Sequence, residues 1–248
     1  MPKKKVKFNL YEPPEVKDKH EKLIPDFLTR NARVNLVGQS GSGKSQFMFN
    51  LLFDWMLPYY KKSQATIVCM TGTKDTAVHL SKLAFKHKFD KNKFRVFNYF
   101  SINELEAIYR EHDGDKPLVL VLDDCSFLKD FSSPQKKNLL TEIYSSGRHV
   151  NCSIMVSLQG YFHLSQDCRA NNATHLVIYG VAKKEIGKLY EENFSLLMSE
   201  DEFKRIARKH LAKRYDFIVF DKQNKQLFYK DSKNNELALI PYKVEELY

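Results

Sequence analysis

This chain is short of the features that mark several protein classes. Its four cysteines, Cys69, Cys125, Cys152 and Cys168, are scattered with no closely spaced pair. That pattern argues against a zinc site, and against a disulfide framework in a chain long enough to bury its own core. Four reduced structural thiols are expected. No apolar run approaches the roughly 18 residues that a membrane-spanning helix needs, and the basic start is not followed by a hydrophobic segment. A soluble, intracellular protein without a membrane segment is expected. Internal repeats and low-complexity tracts are also missing, which sets solenoids and linker-like chains aside.

Positive charge is in surplus. Lysine and arginine number 40 against 30 aspartates and glutamates, a formal net charge of +10 over 248 residues. Such a surplus suits a polyanionic partner, although solvated lysine faces also produce it. Residues 1–30 are polar and basic, with Lys3, Lys4, Lys5 and Lys7 near the start and Pro13 and Pro14 further on. They read as an arm or lead-in strand, and residues 2–7 are similar to a short basic nuclear-import signal.

The most specific string is Gly38, Gln39, Ser40, Gly41, Ser42, Gly43, Lys44, Ser45. It has the Gly-x4-Gly-Lys-Ser spacing of a phosphate-binding loop, follows a short apolar run at 33–37 and precedes a helix-compatible stretch at 45–57 stopped at Pro58. Glycines let the backbone turn and bring its N–H groups onto phosphate oxygens at a helix N-terminus. Lys44 then reaches the β- and γ-phosphates, and the Ser45 hydroxyl ligates Mg²⁺.

Beyond the loop, strands and helices alternate. Strands are expected at 65–70, 94–100, 118–122, 152–158 and 176–179, and helices at 75–86, from Ser101 to about 113 through a Ser101–Glu104 capping box, and at 134–146, capped by Ser133 and ended by Gly147. The continuous run at 118–122 suits a central parallel strand buried on both faces. The expected fold is a three-layer α/β domain with a mostly parallel sheet, spanning 31–182. From 183 to 248 the character changes to an extension of the same domain, with a helix at 200–214 and a terminal hairpin of 215–220 with 226–230.

The second half of the site falls at strand ends. Asp123 closes the 118–122 run, where ligands of open α/β sheets gather, and is the natural partner for Mg²⁺ held by Ser45. Asp124 is a candidate general base for an attacking water. Gln159, ending the next strand, can touch both a γ-phosphate and that water. Arg148 and Arg169 are candidates to reach a neighbouring subunit's site, where an arginine supplied in trans stabilises the transferring phosphoryl group.

Taken together, 38–45, Leu120 to Asp124, Ser146-Gly-Arg-His149, Ser157-Leu-Gln159 and Arg169-Ala-Asn-Asn172 resemble the poxvirus-type genome-packaging ATPases of the FtsK/HerA superfamily. The resemblance covers about residues 30–180 and implies an additional-strand P-loop NTPase fold, with ATP and Mg²⁺ as cofactors. It further implies a ring that hydrolyses ATP and threads double-stranded DNA into a preformed capsid, with capsid vertex proteins as partners and a virus assembly site or the virion as location. It assigns Lys44 and Ser45 to phosphate and Mg²⁺, Asp123 and Asp124 to the Walker B positions, Gln159 to the sensor, and Arg148 and Arg169 to subunit interfaces. Many ATPases of the wider superfamily carry Glu at the Asp124 position, and the shorter side chain holds a water one methylene further back. A HerA-like repair or plasmid-transfer motor is the alternative. A GTPase-type switch is disfavoured, because Asn-Lys-x-Asp and an Asp-x-x-Gly at the acidic strand are both missing.

Overall fold

The computed structural model describes residues 21–25, 28–126, 134–231 and 236–242. The basic residues Lys3, Lys4, Lys5 and Lys7 and the expected cap Ser133 lie outside them. Among the described residues nine strands form one sheet in the order β3-β2-β4-β5-β1-β6-β7-β8-β9. They are β1 (Arg33–Val37), β2 (Thr66–Thr71), β3 (Phe94–Phe97), β4 (Leu118–Asp123), β5 (Cys152–Leu158), β6 (His175–Ile178), β7 (Ile218–Asp221), β8 (Gln226–Asp231) and β9 (Glu236–Leu239). The first six pair in parallel, and β7 to β9 add antiparallel strands to the β6 edge.

The apolar runs explain the layers. Along β4, Leu118, Leu120 and Leu122 enter one core while Val119 and Val121 enter the other, because successive side chains of a strand point to opposite faces. One face is covered by α1 (Lys44–Asn50), α2 (Leu57–Lys62) and α3 (Lys74–Lys86), through residues such as Phe47, Tyr60 and Leu80. The other is covered by α4 (Ile102–Arg110), α5 (Pro134–Ser146), α6 (Lys183–Asn193) and α7 (Glu200–His210), through Leu105, Ile143, Leu189 and Phe203. This is the three-layer α/β arrangement expected. Moreover, β5 sits between the loop strand β1 and the acidic strand β4, the additional-strand order.

Several local expectations change. Pro58 does not stop the helix after the loop. The chain widens into a π-helical turn at Leu51–Trp55, with Met56 N–H bonding the Leu51 carbonyl at 2.8 Å. Pro58 then falls in the first turn of α2, where its missing N–H costs nothing. Gly147 does not end α5 in a left-handed turn. A 3-10 turn, Gly147–Val150, follows, and Asn151, at φ 53°, makes the reversal. A Cβ at Gly147 would come within 3.3 Å of the Cys152 carbonyl oxygen, so close approach explains that glycine. The strand from Phe94 ends at Phe97, and the helix from Glu200 ends at His210. α6 and β9 had no place in the sequence reading. Ile186, Leu189 and Tyr190 give α6 a helical apolar spacing that Gly187 and its charged neighbours obscure.

Buried polar groups tie the sheet to its flanks. Asn35, at the middle of β1, accepts from the Tyr144 hydroxyl of α5 and donates to the Cys168 carbonyl at 3.0 Å. Lys222 donates to the Ala170 carbonyl and to Asn193 Oδ1, the latter at 2.9 Å. Burial pulls its pKa from 10.5 down to about 8, with Glu192 opposing. Between those values the unfolded chain binds more protons than the folded one, so this group makes stability rise with pH there and adds no pH dependence below. The native chain is therefore expected to gain stability relative to Lys222→Met from about pH 8 to 10.5, with a flat difference below; urea unfolding of both proteins over that range checks it.

Candidate nucleotide and metal site

The loop between β1 and α1 turns back on itself. Gly41 (φ 69°) and Gly43 (φ 100°) adopt left-handed conformations that disfavour a side chain. Gln39 and Ser40 are exposed, Ser42 is buried, and the Ser42 N–H bonds the Gln39 carbonyl at 3.3 Å. Gly38 is anchored to the end of β5, its N–H donating to the Leu158 carbonyl at 3.1 Å, and Gln39 N–H reaches the Gly180 carbonyl at 3.4 Å. Lys44 is buried, and its Nζ donates to the Gly38 and Gln39 carbonyls at 2.7 and 2.9 Å. Burial lowers its pKa, with Asp124 and then Asp123 opposing.

Asp123 ends β4 almost fully buried. Its Oδ1 accepts from Ser157 Oγ at 2.6 Å and Ser45 Oγ at 3.1 Å, while its Oδ2 is buried with no hydrogen-bond partner. A buried carboxylate oxygen without a partner is costly, and burial duly raises this carboxyl's pKa despite the two hydroxyls. An oxygen-rich corner formed by Ser45 Oγ and Asp123 suits a hard cation such as Mg²⁺, which takes one or two protein oxygens and completes its shell with water and phosphate. Among the described residues no group of three or more His, Cys, Asp and Glu side chains could hold a metal unaided.

Asp124 stands at φ 53°, an uncommon conformation for a side-chain-bearing residue, and the Ser157 hydroxyl accepts its N–H at 2.9 Å. Gln159 Nε2 donates to Asp124 Oδ1 at 2.9 Å. The acids, the loop and Gln159 thus meet at the carboxyl ends of β1, β4 and β5.

The two arginines are not brought there. Arg148 precedes β5, at the opposite end of a strand of seven residues, roughly 20 Å from its tip. It is exposed, its Nε reaching His149 Nε2 at 3.4 Å. Arg169 is spent within its own chain. Its Nε and Nη2 form a two-pronged pair with Glu192 at 2.9 and 2.8 Å, and Nη1 donates to the Leu164 carbonyl at 2.8 Å. The guanidinium also lies over the Tyr161 and Phe162 rings at 5.2 and 5.4 Å. The loop after Gln159 is held by the same helix. Tyr161 N–H donates to Glu185 Oε1 at 2.9 Å, its hydroxyl donates to Glu192 at 2.7 Å, and Asn193 donates to that hydroxyl at 2.7 Å.

Two residues of the site were given no role in the sequence reading. Ser157 carries both acids, and its only sequence signal is a hydroxyl near the end of an apolar strand. Arg214 lies 173 positions from Gly41 yet donates from Nε to the Gly41 carbonyl at 3.2 Å, with its guanidinium over Tyr215 at 5.3 Å. No local pattern announces a contact made by tertiary folding alone.

With this geometry in place, comparison with known proteins is informative. The family model described as poxvirus A32 protein matches residues 19–229. The chain belongs to that family. Among its relatives, the DNA packaging protein OPG160 of Vaccinia virus (strain Copenhagen) is 26% identical over 153 residues, covering 60% of this chain and 53% of the relative. That of Variola virus is 25% identical over 163 residues, covering 64% and 57%. The chain thus spans about half the length of the curated relatives it matches. Among solved structures, the genome packaging NTPase B204 from Sulfolobus turreted icosahedral virus 2 in complex with ATP-gammaS superposes with a TM-score of 0.56 at 17% identity, covering 82% of this chain and 98% of that one. EssC (ATPases 2 and 3) from Geobacillus thermodenitrificans gives 0.52 at 13% identity, with coverage of 64% and 34%. Both likenesses are of fold.

Ser157→Ala removes the one hydroxyl that serves both acids. It is expected to lower stability by about 1–3 kcal/mol, whereas Gln159→Ala, at an exposed position, should stay within about 0.5 kcal/mol. Denaturant unfolding with an unchanged slope in both variants makes the comparison.

Proposed function

We propose that this chain is the ATP-hydrolysing subunit of an oligomeric motor that translocates double-stranded DNA and packages a viral genome into a capsid. The observation that carries the reading is the Asp123 carboxylate, gathered by Ser45 and Ser157 with its second oxygen buried and unpartnered, beside a glycine-turned loop. Membership of the poxvirus A32 family and relatives named as DNA packaging proteins support the packaging role over a repair or transfer motor.

In this reading the amides of residues 38–45 cradle the phosphates, and Lys44 turns from the Gly38 and Gln39 carbonyls to the β- and γ-phosphates. Ser45 and Asp123 would hold Mg²⁺, which when bound would neutralise charge on the phosphate oxygens. Gln159, already hydrogen-bonded to Asp124, helps position the attacking water, and the Asp124 carboxylate takes its proton. Arg214 lies close enough to the loop to act on phosphate charge from within its own subunit.

Arg148 is the arginine supplied in trans, since it is exposed and lies at the end of β5 opposite its own site, while Arg169 is a structural clamp. The surplus of positive charge tracks DNA phosphates without reading sequence, and the exposed Arg208 and Lys209 at the end of α7 belong to that surface. A ring in register with the capsid vertex completes the assembly, located where virions form.

The test is ATP hydrolysis with and without long double-stranded DNA at two salt concentrations. DNA should stimulate turnover, salt should erase the stimulation, and Asp123→Ala should abolish turnover. Hydrolysis indifferent to DNA in a protein shown to oligomerise would overturn the motor reading. A mixing experiment separates the arginines. Arg148→Ala and Lys44→Ala subunits, each inactive alone, should recover activity together, through sites pairing an intact Lys44 with an Arg148 from the neighbour. Arg169→Ala should lower thermal stability and gain nothing from mixing.

A further inference from the structure

We infer that the open edge of β3 and the adjoining flank of α3 form a docking groove for an extended, acidic segment of a partner protein, which pairs with β3 as a further strand and lays apolar side chains on either side of Phe85. This face is separate from the nucleotide site, since β2, β4 and β5 stand between β3 and the loop strand β1.

The helix α3 carries more apolar surface than its packing uses. Ala77, Leu80 and Ala84 are buried against the sheet, at the spacing of a core-facing stripe. Val78 and Phe85 lie off that stripe, seven residues apart and so on one side of the helix. They are 44% and 80% exposed. A flank that met only water could carry polar residues at no cost to the fold. Single exposed apolar side chains are ordinary, but these two are joined through Val96 of β3, which lines a hollow on each side of Phe85. The hollows have volumes of about 860 Å³, toward Phe89, and about 510 Å³, toward Val78. Packed rings hold the floor of the larger one in place, with Phe94 5.0 Å from Phe89 and 5.5 Å from Phe53.

The strand beside this ground has one side open. β3 is the last strand on its side of the sheet. Ile67 of β2 lies opposite Phe94 and donates its N–H to the Lys93 carbonyl at 2.7 Å. Main-chain groups of successive residues in a strand turn to opposite sides, so Lys93 and Arg95 face β2 and Val96 turns its N–H and C=O outward. Phe94 also turns outward, but its N–H is taken by the Asp90 carbonyl at 2.9 Å, which leaves its C=O. Open groups of this kind, beside pockets for alternate side chains, are what strand addition uses. Charged residues commonly blunt such an edge; here the residue facing outward is a valine.

The rim gives the occupant its sign. Lys74 and Lys82 border the smaller hollow, and Lys86, Lys88 and Lys91 the larger, all exposed. Asp90 is the one carboxylate among the residues lining the two. A strand with apolar residues at alternate positions and carboxylates toward its ends answers both the ground and the rim. A DNA backbone would answer the lysines and leave the apolar ground and the strand edge unused.

The probe is a fluorescein-labelled peptide, Glu-Glu-Val-Thr-Val-Thr-Val-Glu-Glu, titrated into the full chain by fluorescence anisotropy, with amide hydrogen exchange to locate it. Binding should slow exchange at residues 94–98 and leave 38–45 unchanged. Phe85→Ser, which removes the ridge between the hollows, should weaken binding about tenfold, the scale of one anchoring side chain. Val96→Pro removes the outward N–H at a place where an edge strand tolerates proline, and should weaken binding as much. Lys82→Glu with Lys86→Glu should do the same, and the peptide with proline at its central valine should not bind. Thermal melts confirm that the variants are folded. No binding by the probe, protection outside 94–98, or equal binding of the proline peptide overturns the proposal. So does an unbound probe with either of two further signs: a Phe85→Ser chain that sediments as a smaller species than the native one, which makes the face an interface between copies, or a short DNA duplex released by the lysine variant, which makes it a nucleic-acid surface.

Discussion

One carboxylate oxygen, Asp123 Oδ1, organises the site. It is shared by two hydroxyls from separate parts of the chain, Ser45 at the start of α1 and Ser157 near the end of β5. The loop strand β1 and the acidic strand β4 are not neighbours, because β5 runs between them. Ser45 crosses that gap directly from the loop side, and the tip of β5 adds Ser157, a side chain that also fixes the backbone of Asp124. The register that places Ser157 opposite Leu36 on β1, with Val156 opposite Leu122 on β4, is therefore a functional constraint as well as a packing one. A slip of one residue would turn the hydroxyl to the other face of the sheet.

The same carboxylate shows the tension between stability and function. Its second oxygen is buried without a partner, so the protein keeps a polar group in an environment that opposes its charge. A structural carboxylate would be hydrogen-bonded on both oxygens. Here the deficit sits at the point where a cation would relieve it, and the two hydroxyls lessen the penalty without removing it.

Much of this was legible in the chain, for physical reasons. Gly41, Gly43 and Lys44 announce themselves because the loop needs positive φ and a cation at fixed spacing, and residues 118–122 announce a buried strand because both of its faces are apolar. Asp123 and Asp124 follow from their position at that strand's end. Ser157 did not stand out, since a serine in a strand looks the same whether it is idle or holds two acids. Arg214 was illegible as part of the site because its contact with Gly41 spans most of the chain. The pairing of Arg169 was illegible for a related reason: its partner Glu192 lies on α6, a helix whose pattern Gly187 breaks. Pro58 misled because proline's cost depends on where in a helix it falls, and a π-helical turn just before it moved that origin.

The fastening of Tyr161 has a mechanical meaning. The segment that follows Gln159 is bolted to α6 by its backbone N–H and twice by its hydroxyl, with Arg169 clamping the same Glu192. Loops at strand tips ordinarily have slack in which small displacements dissipate. This one has little, so the strand tip and α6 behave as one stiff member, and a shift of Gln159 is delivered to the helix as a push and not lost as local play.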